Sequence, residues 1–245
     1  MTIHIVGDDG QIGLLLDAAA IVQNLNPPSA LVGGVAVICR LAAVHRITLD
    51  ADTVVEQSDT DIVEILTARA DTTQTDARTV LIGGAKVEII DVGPVDPAVL
   101  ADQVDDNRER LFVAAHRWAL DTAETIEVDT YPPSRVRRLA VAIPPALAAT
   151  KTHALVGRRP GGEEKAGSDL TDIVALFEMF DRDGELTGQL HAAPYDLGQL
   201  VAGQLAGFLG DPQRRTRAVG LARQHLGSAM TLERIETALA HVLSR

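Results

Sequence analysis

The chain is poor in cysteine, in aromatic residues and in lysine, and each shortage narrows the class of protein. Its 245 residues include a single cysteine, Cys39, so no disulfide framework can form within one chain, and a reducing cytoplasm is the expected location. Aromatic residues make up only 3%, so aliphatic side chains must fill the core. Only three of the 22 basic residues are lysines. Acidic residues number 34, and the net charge of -12 argues against a surface that coats nucleic acid in general.

The sequence also lacks long hydrophobic runs. Its apolar stretches are interrupted by Arg40 or by Pro144-Pro145, so no membrane-spanning helix is predicted. Residues 1–11 are polar and acidic, without the basic segment and apolar run of a signal peptide. Hydrophobic residues nevertheless make up 46% and charged residues 23%, which is typical of a globular protein. The length is sufficient for one large domain or two modest ones.

The pattern of predicted elements changes at Pro144. Before it, segments with helical spacing mix with short apolar strands, and an α/β domain over residues 1–143 is expected. After it, only helices are predicted, and Asp211 and Thr231 supply start signals for two of them. Residues 144–245 are therefore expected to form a helical bundle, and the whole chain to belong to the α+β class. The predicted helices cover 12–25, 34–45, 107–121, 145–157, 168–180, 194–209, 212–226 and 231–243, and a further helix is predicted from the cap at Thr60-Asp61 to about Ala70. The predicted strands cover 30–33, 47–56, 79–82 and 86–92, with two further strands at 125–129 and 135–142.

Two carboxylates on one predicted strand give the strongest chemical signal. Asp50 and Asp52 are two residues apart, so their side chains point to the same face. Carboxylates placed together repel each other unless a cation lies between them, and a hard divalent ion such as Mg²⁺ prefers oxygen ligands. Upstream, the Gly33-Gly34 turn lets backbone N–H groups approach an anion at a helix start. Together these features indicate a site for a nucleoside triphosphate.

A third acid is predicted on the strand over residues 86–92, which contains Glu88 and Asp91. These two residues point to opposite faces, so only one of them can join Asp50 and Asp52. Both can also lie near the exposed end of the strand. Glu88 is favoured because its apolar neighbours make an unpartnered carboxylate more costly there.

The helical part carries a lysine and two aspartates of interest. Asp169 and Asp172 are three residues apart near a predicted helix start, on one face. Asp169 is equally compatible with a helix cap or a partner of the helix dipole. Asp172 lies inside the helix, where capping does not explain it. A contact between Lys151 and Asp172 is predicted, and it would orient the lysine toward a phosphate.

These motifs resemble the nucleotidyltransferase superfamily, most closely its AbiEii/AbiGii-type (MenT-like) toxin branch. The family pattern of a glycine turn, a helix and an Arg-x-Thr-x-Asp-x-Asp strand is similar to the residues found here. The later strand of the family carries the third acid, and its helical domain holds a lysine and a later aspartate. The residues that match are Gly33, Gly34, Arg46, Thr48, Asp50, Asp52, Glu88, Lys151 and Asp172. The chain departs from the pattern in having Gly-Gly where Gly-Ser is usual and Glu88 where Asp is usual.

The resemblance implies a mixed sheet with flanking helices and a Mg²⁺-dependent transfer of a nucleoside monophosphate from an NTP to an acceptor hydroxyl. Asp50 and Asp52 would hold the metal, and Glu88 would complete the metal site or act as general base. Gly33, Gly34, Arg46, Thr48 and Lys151 would bind the nucleotide, with Asp172 supporting the lysine.

The acceptor remains open at this level. The resemblance implies a toxin that acts on tRNA and pairs with an antitoxin protein. Each arginine cluster by itself is typical of a solvated helix face with surface ion pairs, and the alternative is that the clusters together form one basic face for RNA. The net charge of -12 instead favours a small cationic acceptor such as an aminoglycoside. A non-catalytic interaction module on the same fold is the third alternative, because of the two departures. The arginine clusters lie at Arg135, Arg137 and Arg138, at Arg158 and Arg159, and at Arg214, Arg215 and Arg217.

Overall fold

The chain folds into two compact units that do not follow one simple cut in the sequence. The sheet unit comprises Met1–Pro94 and Ala119–Ile143, and the helical unit comprises Val95–Trp118 and Pro144–Arg245. The computed structural model describes residues 2–6, 10–25, 27–59, 61–96, 99–100, 104, 106–131, 134–157, 164–226 and 229–244.

One mixed sheet of eight strands organises the sheet unit, in the order β1-β7-β8-β2-β3-β6-β5-β4. The central strand β3 runs antiparallel to β2 and parallel to β6. Hairpins join β4 to β5, β5 to β6 and β7 to β8. The strands are β1 (Thr2–Val6), β2 (Ser29–Val32), β3 (Asp50–Glu56), β4 (Thr72–Asp76), β5 (Thr79–Ile82), β6 (Ala85–Val92), β7 (Glu124–Tyr131) and β8 (Arg135–Val141).

Three helices accompany the sheet: α1 (Gln11–Gln23), α2 (Gly33–Leu41) and α3 (Ile62–Thr67). The first packs across β8, β2, β3 and β6, the second on β2 and β3, and the third on β4 and β5. Asp61 begins α3 by accepting a hydrogen bond from the Val63 N–H at 2.9 Å. The mixed sheet with its helices confirms the predicted fold class.

The helical unit is built around one helix that is buried on all sides. Residues 145–152 of α5 (Pro144–Gly157) are all buried, so this part of the helix is covered on every side. It packs on α6 (Glu164–Phe180), α7 (Glu185–Ala192) and α8 (Leu197–Gly210). Further helices among the described residues are α4 (Asn107–Asp121), α9 (Pro212–Leu226), α10 (Leu232–Ala238) and α11 (Ala240–Leu243). As predicted, Asp211 and Thr231 accept hydrogen bonds from the first turns of α9 and α10.

The predicted domains, 1–143 and 144–245, and the two compact units share one boundary. Both separate residue 143 from residue 144, but segment 95–118 belongs by contact to the helical unit. The reason is visible on α4, where the Phe112 ring lies 5.0 Å from the ring of His153 on α5. The chain thus enters the helical unit, returns to the sheet for β7 and β8, and enters the helical unit again.

Strand β3 begins later than predicted, at Asp50 rather than at residue 47. Its neighbour β2 ends at Val32, opposite Asp52, because the chain then turns at Gly33 into α2. On the other side, pairing with β6 begins at Asp50 opposite Lys86. Residues 47–49 are outside this ladder, so Arg46 and Thr48 lie on the connection that leads into the strand.

Candidate functional site

The three predicted acids of the sheet unit come together on one face of the sheet. Asp50 and Asp52 alternate with buried Ala51 along β3, and Glu88 on β6 lies directly opposite Asp52. One carboxylate oxygen from each acid lies within 4.8 Å of the other two. All three side chains are partly accessible, so an ion can reach them. Three converging carboxylates form an oxygen donor set that fits a hard divalent cation such as Mg²⁺.

The alternative third acid, Asp91, is engaged elsewhere. It forms an ion pair with Arg78, which also donates a hydrogen bond to Asp61 at 3.2 Å. Since Asp91 is three residues from Glu88 along a strand, the two carboxylates leave on opposite faces. The third acid beside Asp50 and Asp52 is therefore Glu88, the residue that the sequence favoured.

A turn at Gly33 brings the start of α2 against the acids. Gly33 has a φ of +69°, and a Cβ placed on it would lie 1.8 Å from Asp52 Oδ2 and 2.9 Å from Asp52 Cβ. A side chain at this position would therefore collide with the carboxylate, and the backbone conformation itself favours glycine. Val32, the N-cap residue of α2, makes no side-chain hydrogen bond to the first N–H groups of this helix, which begins next to Asp52. Such N–H groups are suited to binding an anion.

The second glycine, Gly34, lies close to side chains of the segment that precedes β3. A Cβ on Gly34 would lie 2.4 Å from a terminal nitrogen of Arg46 and 2.9 Å from Thr48 Oγ1. Thr48 is buried, and its hydroxyl donates to the Asp50 carbonyl at 3.4 Å. Arg46 donates to the Ile47 carbonyl at 2.9 Å. These contacts give both residues a role in shaping the glycine turn, and their predicted part in binding a nucleotide stays a prediction.

Sequence reasoning missed one residue of this face, Lys86. It lies two residues before Glu88 on β6 and opposite Asp50, and its Nζ is 3.6 Å from Asp50 Oδ2. The period-two alternation of a strand could have placed Lys86 on the face of Glu88. The pairing with Asp50 depends on the register between β3 and β6, which no local pattern reveals.

Cys39, on α2, is a buried structural residue. It is fully enclosed, and burial raises the pKa of its thiol to about 12, with the Arg40 charge opposing that effect. The thiolate, which is the reactive form, is therefore scarce at neutral pH.

A second charged cluster is buried inside the helical unit. Lys151 Nζ lies 2.9 Å from Asp172 Oδ2 and 3.1 Å from Asp169 Oδ1, and all three residues are at most 6% exposed. The predicted contact between Lys151 and Asp172 is thus present. Because α6 begins at Glu164, Asp169 is inside the helix, and its interpretation as a cap is wrong. Two carboxylates on one helix face fix the lysine ammonium, which would be costly to bury alone.

The arginine clusters are partly committed to internal contacts. In the sheet unit, Arg135 and Arg137 both pair with Asp17, at 2.8 Å and 2.6 Å. In the helical unit, Arg214 and Arg215 each donate a hydrogen bond to a backbone carbonyl. The remaining cluster, Arg158 and Arg159, lies outside the described residues. These contacts support structural roles for four of the arginines that were considered for RNA binding.

The helical unit also contains a cavity of about 510 Å³ between α6, α10 and α11. On its walls, Arg234 makes a two-pronged ion pair with Glu178, at 2.6 Å and 2.7 Å. Asp181 is buried and accepts hydrogen bonds from Thr187 and a contact from His241 Nδ1 at 3.2 Å. Because these charged groups bind each other, they hold the helices together.

Comparisons with known proteins support the fold and leave the family open. No protein-family model matches the chain, and no curated protein sequence matches it significantly. Among solved structures, an antigenic nucleotidyltransferase-like protein from Paracoccidioides brasiliensis matches with a TM-score of 0.51 at 16% identity, over 87% of this chain and 93% of that one. The chain therefore has a nucleotidyltransferase-like fold.

A second solved structure, the STING-associated CdnE c-di-GMP synthase from Capnocytophaga granulosa, is similar at 11% identity. The match extends over 97% of this chain and 83% of the synthase chain, but its TM-score of 0.32 is too low to support an argument. The AbiEii/AbiGii branch stays a prediction. Within the residues that the structure describes, no helix combines the length and the apolar character needed to cross a membrane.

Proposed function

We propose that the protein is a nucleotidyltransferase that moves a nucleoside monophosphate from an NTP to an acceptor hydroxyl with the help of a divalent metal. The observation that carries this proposal is the group of Asp50, Asp52 and Glu88, with oxygens within 4.8 Å, on a nucleotidyltransferase-like fold. The close approach of Gly33 to Asp52 adds a phosphate-binding helix start beside the acids. The two features meet the two needs of the reaction, a metal site and an anion site.

In this proposal, Asp50 and Asp52 hold Mg²⁺, and Glu88 either completes the site or serves as general base. Bound Mg²⁺ would supply charge neutralisation at the triphosphate and orientation of the reacting oxygens. The N–H groups at the start of α2 bind phosphate oxygens. The acceptor oxygen attacks the α-phosphorus, and its proton passes to Glu88 when that residue is the base. A P–O bond forms to the acceptor, the bond from the α-phosphorus to the β-phosphate oxygen breaks, and pyrophosphate leaves.

The roles proposed for Lys151 and Asp172 rest on the resemblance rather than on geometry around a nucleotide. In that reading, Lys151 contacts a phosphate and Asp172 orients the ammonium. The buried ion pairs of Lys151 at 2.9 Å and 3.1 Å support the orienting part of this role. Arg46 and Thr48 are proposed to shape the nucleotide site through their contacts with Gly34.

For the acceptor, we propose two alternatives. A toxin that modifies tRNA and is held in check by an antitoxin follows from the resemblance. A small cationic acceptor such as an aminoglycoside is favoured by the net charge of -12 and by the commitment of Arg135 and Arg137 to Asp17. We propose a cytoplasmic location for either activity.

The decisive experiment measures transfer of label from α-³²P-labelled NTPs with Mg²⁺, using tRNA and aminoglycosides as separate acceptors. Asp50→Asn and Asp52→Asn should lower the rate by more than about a hundredfold, since even outer-shell partners of a metal are worth about 10- to 100-fold. Asp91→Asn is the matched control, because this acid is on the same strand as Glu88 but pairs with Arg78.

The outcome that contradicts the proposal is equally definite. If none of the four NTPs supports transfer and Mg²⁺ with nucleotide leaves the melting temperature unchanged, the protein is not such an enzyme. A partner protein that binds the Asp50→Asn, Asp52→Asn double variant as tightly as the original chain would then favour the non-catalytic module.

A further inference from the structure

Strand β6 brings a lysine into the group of acids. Lys86 lies opposite Asp50, with Nζ 3.6 Å from Asp50 Oδ2, while its neighbour on the other side, Leu81 of β5, carries no charge. The lysine side chain is 43% exposed and the aspartate side chain 16%. The ammonium group is therefore on a side chain that is more accessible to solvent than the carboxylate it contacts.

An ammonium group and a divalent metal would compete for the carboxylate of Asp50. Three carboxylates within 4.8 Å repel one another, and the positive charge of Lys86 offsets part of that repulsion. A divalent ion bound to the same carboxylate would do so more strongly, and it would also repel the ammonium. Lys86 and the metal therefore oppose each other at Asp50.

The type of residue suits an exchangeable contact. Two acids outside the group are held by arginine, in the pairs Arg137–Asp17 and Arg234–Glu178, where two nitrogens bind one carboxylate. Lysine offers a single ammonium on a flexible four-carbon stem, so its contact can be given up and remade without a fixed fork geometry. Lysine is scarce in this chain, at three of 22 basic residues, and one of them is at the acids.

We propose that Lys86 is an exchangeable counter-ion: it neutralises Asp50 in the metal-free protein and moves to the triphosphate when a divalent metal takes Asp50. This inference rests on the proposed function, because it presumes a metal and an NTP at the same acids. It assigns Lys86 two measurable effects of opposite sign. The lysine weakens binding of the metal alone and strengthens binding of the nucleotide in the presence of metal.

The first experiment measures binding of Mn²⁺ alone by electron paramagnetic resonance. Lys86→Met should bind Mn²⁺ about fivefold more tightly than the original chain, which is the size of one partly screened charge contact. Its melting temperature without metal should be lower, and Mn²⁺ should raise it by more. Lys165→Met is the matched control, since it removes an exposed lysine on α6 in the helical unit.

The second experiment measures binding of a non-hydrolysable NTP at saturating Mn²⁺. Here Lys86→Met should bind the nucleotide about fivefold more weakly, while Lys86→Arg, which keeps the positive charge at Asp50, should bind Mn²⁺ no better than the original chain. Unchanged Mn²⁺ affinity or unchanged NTP affinity in Lys86→Met overturns the counter-ion role and leaves the proposed function standing. If the original chain binds no Mn²⁺ at all, the proposed function fails and the role of Lys86 fails with it.

Discussion

At the scale of the residue, Gly33 converts a feature of the sequence into a geometric requirement. Its φ of +69° and the 1.8 Å between an added Cβ and Asp52 Oδ2 leave no room for a side chain. Gly33→Ala should therefore displace Asp52 and reduce Mn²⁺ affinity at least tenfold, in addition to about 1–2 kcal/mol of backbone strain. Titration with Mn²⁺ and thermal unfolding measure the two effects separately.

Gly83→Ala is the control for this prediction. Gly83 also has a positive φ, of +56°, but an added Cβ there meets nothing within 4 Å. It should lose a similar stability through strain and keep its Mn²⁺ affinity. Equal Mn²⁺ affinity in the two variants would contradict a role for the contact between Gly33 and Asp52.

His116 gives a prediction about pH. It is buried on α4, its Nδ1 donates to the Phe112 carbonyl at 2.7 Å, and desolvation lowers its pKa to about 4. Because the unfolded histidine titrates near 6.5, the unfolded chain binds the proton first as pH falls. This contribution to stability is complete above about pH 6.5 and is lost between there and pH 4, by up to about 3 kcal/mol.

Urea unfolding between pH 4 and pH 7.5 measures that loss. The leucine of His116→Leu binds no proton in either state. Between pH 7.5 and pH 4, the free energy of unfolding should therefore fall less in this variant than in the original chain. An identical pH dependence in both proteins would mean that His116 does not titrate as its burial implies.

Single residues also show which parts of the candidate site could be predicted from the sequence alone. The period of a strand was sufficient to place Asp50 and Asp52 on one face, and the costs of burial favoured Glu88 over Asp91. The position of Lys86 opposite Asp50 comes from pairing between segments more than 30 residues apart, so no local pattern contained it.

At the scale of the element, the strands that sequence reasoning missed are the two edges of the sheet. The order of strands begins with β1 and ends with β4. Four of the five residues of β4 are exposed, so the strand has no apolar alternation to find. The hairpin of β5 and β6 was predicted because both strands have buried apolar residues around the Gly83-Gly84 turn. The hairpin was therefore predictable from buried apolar residues, which β4 lacks.

The turn between α6 and α7 depends on one buried carboxylate. Asp181 accepts hydrogen bonds from the Thr187 N–H at 2.7 Å and the Thr187 hydroxyl at 2.9 Å. Asp181→Ala would leave two buried donors without an acceptor, so the free energy of unfolding should fall by about 2–4 kcal/mol. Chemical denaturation of this variant and of Glu185→Ala, which alters an exposed acid on α7, measures the difference. A loss below about 0.5 kcal/mol in Asp181→Ala would contradict the importance of the network.

At the scale of the whole molecule, the sequence was sufficient to predict the class of fold, but it was not sufficient to predict which unit contains α4. Apolar periodicity shows that α4 has a buried side, but it cannot show which unit covers that side. The answer lies in the contacts of Phe112 and His116 with His153 of α5, at 5.0 Å and 6.0 Å between ring centroids. A boundary at residue 143 places α4 with the sheet, whereas its ring contacts place it with the helices.

These alternatives differ in what they predict for a fragment of residues 144–245. If the helical unit needs α4, the fragment should expose the surface around His153 and melt at a lower temperature or without cooperativity. A synthetic peptide of residues 104–121 should then raise the melting temperature in proportion to the logarithm of its concentration above its dissociation constant. The same peptide with Phe112→Ala should raise it less, because the ring contact at 5.0 Å is lost. A fragment that unfolds cooperatively at one temperature, with or without peptide, would instead support a helical domain that begins at residue 144.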